Sequence, residues 1–354
     1  MSRRLRAISP AKWVERMLPP TATPLPHSLL QAGAATFFPG VRGAGTTARF
    51  REQIVGRAEA IREGRFDLLG YHRLSFGKPI DWHLDPVSGR RAPRRHWSRI
   101  DPLDSASVGD CKVTWELNRH AWLVALGQAY RLSGDARHAD TATRYLREWM
   151  AENPPGLGIN WASSLEAALR MIAWSWALFL FAPAAEFSPQ FRAVVLKWIS
   201  IHAAHVARYL SYYFSPNTHL TGEALGLFYV GVLFPELPEA RHWSALGSRI
   251  LDEQSARQIL DDGVYFEQST AYQRYTLEIY LHYLILAALN GVAVPREVGE
   301  RVERLVDFLL AARHPDGSMP EIGDADGGTL LALAPRAPDD FRAVFSTAAV
   351  LFGR

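Results

Sequence analysis

The chain has almost no cysteine: Cys111 is the only one in 354 residues. That excludes an intrachain disulfide and any cysteine-based metal cage, and leaves Cys111 to be read as a small buried hydrophobe. Charge of one sign is missing too. Its 39 basic against 36 acidic residues leave a formal charge of +3, far from the concentrated positive field of a nucleic-acid binder. A mild preference for anionic ligands remains. No apolar run approaches a membrane span, and the opening MSRRLRAISPAKWVERMLPP lacks the apolar stretch of a signal peptide. As written, the sequence reads as a cytoplasmic protein without a membrane partner, or as a periplasmic or secreted one if its N-terminus is processed or incomplete.

Strand-like alternation is also scarce, and what replaces it is helix after helix. The first hundred residues are uneven, with a Pro-rich start, a helical stretch near 48–69, and a loop, IDWHLDPVSGRRAPRRHWSRIDP, broken by Trp82, Pro86, Gly89, Pro93, Trp97 and Pro102. We read residues 1–100 as an arm packed on the main domain, with Arg90, Arg91, Arg94 and Arg95 as a solvated face. Residues 101–354 form that domain. Apolar residues at helical spacing predict helices near 115–132, 137–151, 162–182, 189–213, 220–233, 239–260, 271–290 and 296–313. Paired helices recur every roughly 45–55 residues, the spacing of a repeated helical hairpin. The fold class is therefore all-α, a toroid or solenoid of hairpins.

Four polar clusters interrupt this greasy pattern: WELNRH (Trp115 to His120), GINWASSLE (Gly158 to Glu166), SPNTHLTGE (Ser215 to Glu223) and YFEQSTAYQRY (Tyr265 to Tyr275). Each opens the first helix of a hairpin. In a toroid those first helices make the inner ring, and their N-termini converge on one end. Unsatisfied N–H groups there favour an anion. The loop PDGSMPEIGDADGG (Pro315 to Gly328) adds Glu321, Asp324 and Asp326 to the same rim.

These motifs, together with NPPGLGINWASSLEAALR, SPNTHLTGEALGL and MPEIGDADGG in this order, resemble the N-terminal toroid of the heparinase II/III-like polysaccharide lyases. The resemblance covers roughly Asp81 to Leu330. It implies an incomplete (α/α) toroid, normally followed by a C-terminal β-sandwich, that cleaves uronic-acid-containing polysaccharides by β-elimination; for this chain no metal or other cofactor is expected, the structural metal site of some members belonging to the sandwich. The chain ends about where that sandwich should start, so it reads as a fragment or a toroid-only form.

The resemblance also implies roles. Asn217 matches the family's charge-neutralising asparagine; by itself it reads first as a helix N-cap. Tyr272 matches the catalytic tyrosine, and its phenol is a ready acid but a poor base unless a positive field lowers its pKa. His219 is a second candidate base, titrating near neutrality. The family's usual Asn-Asn-His is Asn217-Thr218-His219 here, which keeps both outer residues. Trp161 offers a stacking face for a sugar ring or a core side chain. Arg119, His120 and Arg170 are suited to a carboxylate or sulfate, Arg170 alternatively to an ion pair with Glu166 one turn away. Glu116, Glu223 and Glu267 orient donors. Gln273 stands where many family members have histidine.

Two other readings compete. A glycoside hydrolase on the same kind of toroid would draw two carboxylates from Glu223, Glu267, Asp324 and Asp326. A non-catalytic polysaccharide-handling protein would keep the cleft alone. In all three readings the partner is a polysaccharide, and in the favoured one an acidic polysaccharide.

Overall fold

The computed structural model describes residues 48–331, 333–334, 336–337 and 339–353; the Pro-rich start of the expected arm lies outside them. Helix α1 (Ala48–Arg62) leads into an antiparallel hairpin of β1 (Arg65–Leu68) and β2 (Tyr71–Ser75), then a short ribbon of β3 (Leu84–Asp85) and β4 (Arg90–Arg91). Two short helices follow, α2 (Ser105–Val108) and α3 (Cys111–Asn118). Eight longer ones make the body: α4 (Trp122–Ser133), α5 (Ala136–Glu152), α6 (Ser164–Leu180), α7 (Pro189–Arg208), α8 (Thr218–Leu233), α9 (Ala240–Gln258), α10 (Thr270–Leu289) and α11 (Arg296–Ala312). A last helix, α12 (Arg342–Phe352), packs on α10.

Local chemistry sets these boundaries. Gly134 at φ 71° ends α4, and the Asp135 carboxylate then accepts the Arg137 N–H to start α5. Ser188 caps α7, with proline in its first turn.

Packing gives the architecture. Helices α4, α6, α8 and α10 contact one another in sequence, and each also packs on the helix that follows it, α5, α7, α9 or α11. The result is an incomplete (α/α) toroid with the first member of every hairpin inside. The segment 48–82 shares its core, through Ile54, Ala58, Ile61, Phe66, Phe76 and Trp82.

The reason α8 is apolar on every side is its central place, between α6, α9 and α10. Glycine lets it sit so close. A Cβ at Gly231 would lie 2.4 Å from the Ala240 carbonyl oxygen, and one at Gly247 would lie 2.4 Å from that of Ala224. The α8 and α9 backbones therefore touch.

Beneath the ring end lies a fully buried polar network. Arg170 stands over the Trp149 ring at 4.4 Å and donates from Nε to the Asn118 carbonyl at 2.7 Å and from Nη2 to that of Asn160 at 3.2 Å. Asn118 and Asn160 in turn both donate to the Trp82 carbonyl, at 2.9 and 3.0 Å.

Three departures from the sequence pattern have physical causes. The helix expected over 115–132 is two helices, because His120 adopts a left-handed φ of 62° between them. The stretch near 48–69 stops as helix at Arg62 and turns into the β-hairpin. Helix α7 ends at Arg208, leaving 209–217 as a loop at the cleft.

Gly247→Ala should lower the urea midpoint by an amount equivalent to about 1–3 kcal/mol, since the methyl group meets backbone rather than a side chain that can move aside. Gly299→Ala in α11, with nothing within 4 Å of the added carbon, should instead raise stability by up to about 1 kcal/mol. Equal effects from the two substitutions would contradict the close α8–α9 approach.

Candidate active site

The opening of α8 is built around one amide. Asn217 Oδ1 accepts the His219 backbone N–H at 3.1 Å, capping the helix, while its Nδ2 donates to Glu267 Oε1 at 2.7 Å. The cap and the donor are thus the same residue, with the N–H face turned by Glu267. Gln258 Nε2 donates to the Pro216 carbonyl at 2.9 Å and holds the approach to the cap. Burial pushes the His219 imidazole below its ordinary pKa; Glu166 and Glu267 pull it up, and Arg119 pushes it down.

At the mouth of α10, Ser269 Oγ accepts the Tyr272 N–H at 3.1 Å and donates to the Asp324 carbonyl at 2.5 Å. The Tyr272 hydroxyl then donates to Asp324 Oδ2 at 3.0 Å. Burial raises the phenol's pKa, and Asp326 and Asp324 raise it further. The positive field that would have made Tyr272 a base is therefore not what surrounds it.

Arg119, at the end of α3, is clamped between two carboxylates. It donates from Nε and Nη2 to Glu166 at 2.6 and 2.8 Å, and from Nη1 to Glu116 at 2.6 Å. Burial opposes the guanidinium charge, but Glu166 and Glu116 outweigh it and hold the pKa well above its ordinary value. Burial also raises Glu116, against the pull of Arg119.

One cleft of about 800 Å³ opens at the end of the ring where the N-termini of α6, α8 and α10 meet, with Glu166 in its wall. Of the residues singled out in the sequence, Arg119, Asn217, His219, Glu267 and Tyr272 are brought together there, with Asp324 and Asp326 on the loop. Others are elsewhere. His120 is fully buried, accepting the Trp174 indole N–H on Nδ1 at 2.7 Å and stacking on that ring. Trp161 is 1% exposed, parallel to His202 with ring centroids 4.7 Å apart, so it has no free face for a sugar. Arg170 is committed to the buried network rather than paired with Glu166, and burial brings its pKa down to about 9. Glu223 is also fully buried, accepting the Ser211 N–H at 2.8 Å and hydroxyl at 2.6 Å. It holds the α7–α8 loop. Gln273 faces inward too, donating to the Gly263 and Leu305 carbonyls.

Sequence reasoning missed Glu166 as a cleft residue and Tyr275 altogether. Spacing along one helix pointed Glu166 at Arg170, whereas its partner is Arg119, 47 residues earlier. Tyr275 lies one turn after Tyr272, a spacing that places both on the same helix face.

Burial raises the Glu223 carboxyl to about 7, although the Ser211 hydrogen bonds act to lower it. A raised carboxyl stabilises the fold fully below its unfolded pKa near 4.5, and that contribution is lost as pH rises toward 7. Urea midpoints should therefore fall between pH 5 and 7.5 in the wild type by a margin worth up to about 3 kcal/mol, and the fall should shrink in Glu223→Gln. Identical pH slopes in the two proteins would show that Glu223 does not titrate there.

The model of the heparinase II/III N-terminus family matches residues 48–351. A heparin-sulfate lyase of Bacteroides stercoris is 28% identical over 291 residues, covering 75% of this chain and 40% of the relative. A heparin-sulfate lyase of Pedobacter heparinus is 27% identical over 264 residues, covering 72% and 36%. The chain thus spans well under half the length of these relatives. Among solved structures, the heparan sulfate lyase HepC of Pedobacter heparinus superposes with a TM-score of 0.62 at 23% identity, over 89% of this chain and 45% of that one. That likeness is one of fold, and it agrees with the helical toroid. Because the family match runs from α1 through α12, across every motif that meets at the cleft, the chain belongs to the heparinase II/III N-terminal family.

Proposed function

We propose that the chain is the toroid of a polysaccharide lyase that cleaves an acidic, glycosaminoglycan-type polymer by β-elimination. The observation that carries this reading is the meeting of Asn217, His219 and Tyr272 in one cleft, each on an inner-helix N-terminus. The heparin-sulfate lyase relatives support the substrate class.

Elimination takes the C5 proton of a uronate, moves that electron pair into a C4–C5 double bond, and expels the C4 oxygen with a proton. The adjoining carboxylate gains enolate character on the way, and donors aimed at it lower the barrier. An asparagine amide has two N–H donors; one from Asn217 goes to Glu267, which leaves the other for the substrate. His219, kept neutral by burial, is the base. Tyr272, kept protonated by burial and by Asp326 and Asp324, is the acid that delivers the proton to the leaving oxygen.

Electrostatics narrow the substrate further. The Arg119 charge is taken by Glu116 and Glu166, and Glu267, Asp324 and Asp326 line the same cleft. Lys112 stands 3.6 Å from Asp326. Such a cleft favours a sparsely charged uronic polymer over a densely sulfated one.

Turnover of a uronic polysaccharide should produce unsaturated non-reducing ends, read as new ultraviolet absorbance. Asn217→Ala should reduce kcat roughly 10²- to 10³-fold, as loss of an oxyanion donor does, with a smaller change in KM. Tyr272→Phe and His219→Ala should each be nearly inactive yet folded, thermal melts separating loss of chemistry from loss of the Asn217 cap, worth about 1 kcal/mol. Saturated products would establish a hydrolase instead, and binding without cleavage would establish a handling protein.

The pH profile gives an independent check. A base with a lowered pKa and an acid with a raised one predict a broad plateau in kcat/KM. Its acid limb should lie below the ordinary imidazole value of about 6.5, its alkaline limb above the ordinary phenol value of about 10. An alkaline limb at or below that phenol value would remove Tyr272 from the role of acid.

A further inference from the structure

Sugar-binding clefts need an apolar face for the ring, and the tryptophan that the sequence offered for it is buried. The loop between α7 and α8 supplies another. Tyr213 is 102% exposed and Phe214 83% exposed, and both line the same cleft as Asn217. Two adjacent aromatic rings left in water are costly unless a partner covers them. The loop that carries them is pinned at both ends. Ser211 is held through its N–H and its hydroxyl by the buried Glu223, and the Pro216 carbonyl by Gln258. Between the pins the rings are presented, with nothing in the fold packed against the Tyr213 side chain. Phe214 precedes Asn217 by three residues, so the two Cα atoms lie within about 11 Å of each other.

Resting on the lyase reading, we propose that Tyr213 and Phe214 form a sugar-stacking subsite, taking the apolar C–H face of a pyranose next to the uronate held at Asn217. Continuity with the cleft selects a saccharide as the occupant. The subsite supplies affinity that is equal in the ground and transition states, because it touches no reacting atom. It also explains the purpose of Glu223 in the interior: that carboxylate positions the loop rather than the chemistry.

The test is a Tyr213→Ala/Phe214→Ala double variant of the full chain, compared with wild type on a uronic polysaccharide. Its melting temperature should be unchanged, since both rings are exposed in the fold. KM should rise roughly tenfold or more with kcat within about twofold of wild type. Calorimetric titration with a uronic oligosaccharide should show the same loss of affinity, and this readout stands even if the wild type proves not to be a lyase. Unchanged KM and affinity would overturn the subsite while leaving the lyase reading intact. A wild type that neither cleaves nor binds any uronic saccharide would overturn both. A change of oligomeric state in the double variant, measured by light scattering, would assign the rings to a protein contact and overturn the proposal too.

Discussion

Much of the cleft floor depends on a single buried cation. Among the described residues no carboxylate hydrogen-bonds to Arg170; its charge is met by the Trp149 ring, two backbone carbonyls and a neutral histidine, His202, whose Nε2 lies 3.1 Å from Nη1. The cost of burying the charge is offset because it satisfies acceptors that would otherwise be orphaned. Those acceptors belong to Asn118 and Asn160, which immediately precede or lie close to Arg119 and Ser163 at the cleft. Through the Trp82 carbonyl the same network ties the segment before the toroid to its inner ring.

On that floor two opposing fields meet. The N-termini of α6, α8 and α10 bring the positive ends of three helix dipoles together, a condition that favours an anion. Around them stand Glu116, Glu166, Glu267, Asp324 and Asp326. Three of these carboxylates are engaged with Arg119 or Asn217, and Asp324 accepts from Tyr272. Their effect is to raise the phenol's pKa and to turn the amide, so that neutral donors face the cleft. Polar groups of this kind have directional requirements that a cluster of lysines would not.

Reading the sequence went astray where side-chain type was taken as a guide to exposure. His120, Trp161, Arg170 and Glu223 are all residues that bind sugars or anions when they line a cleft. Here each is buried, and each is hydrogen-bonded or stacked within the protein. A polar residue in a motif beside a cleft has two possible directions, and the motif spells out neither. The broken helix at His120 has the same origin, because the left-handed turn that aims its ring at Trp174 is a tertiary demand.

What the sequence by itself determined was the all-α class, the hairpin repeat and the placing of three of the four polar clusters at the N-termini of inner helices, the fourth, Trp115 to His120, lying on α3 and in the break after it. Those follow from periodicity and capping, which are local properties of the chain. Asn217 was legible for that reason, since cap and donor occupy the same position. Only the tertiary structure decided which side chains of each cluster turn into the cleft, that Glu166 answers to Arg119, and that Tyr272 meets Asp324 across 52 residues. Those outcomes depend on how four hairpins close around one core, where distance along the chain no longer measures distance in space.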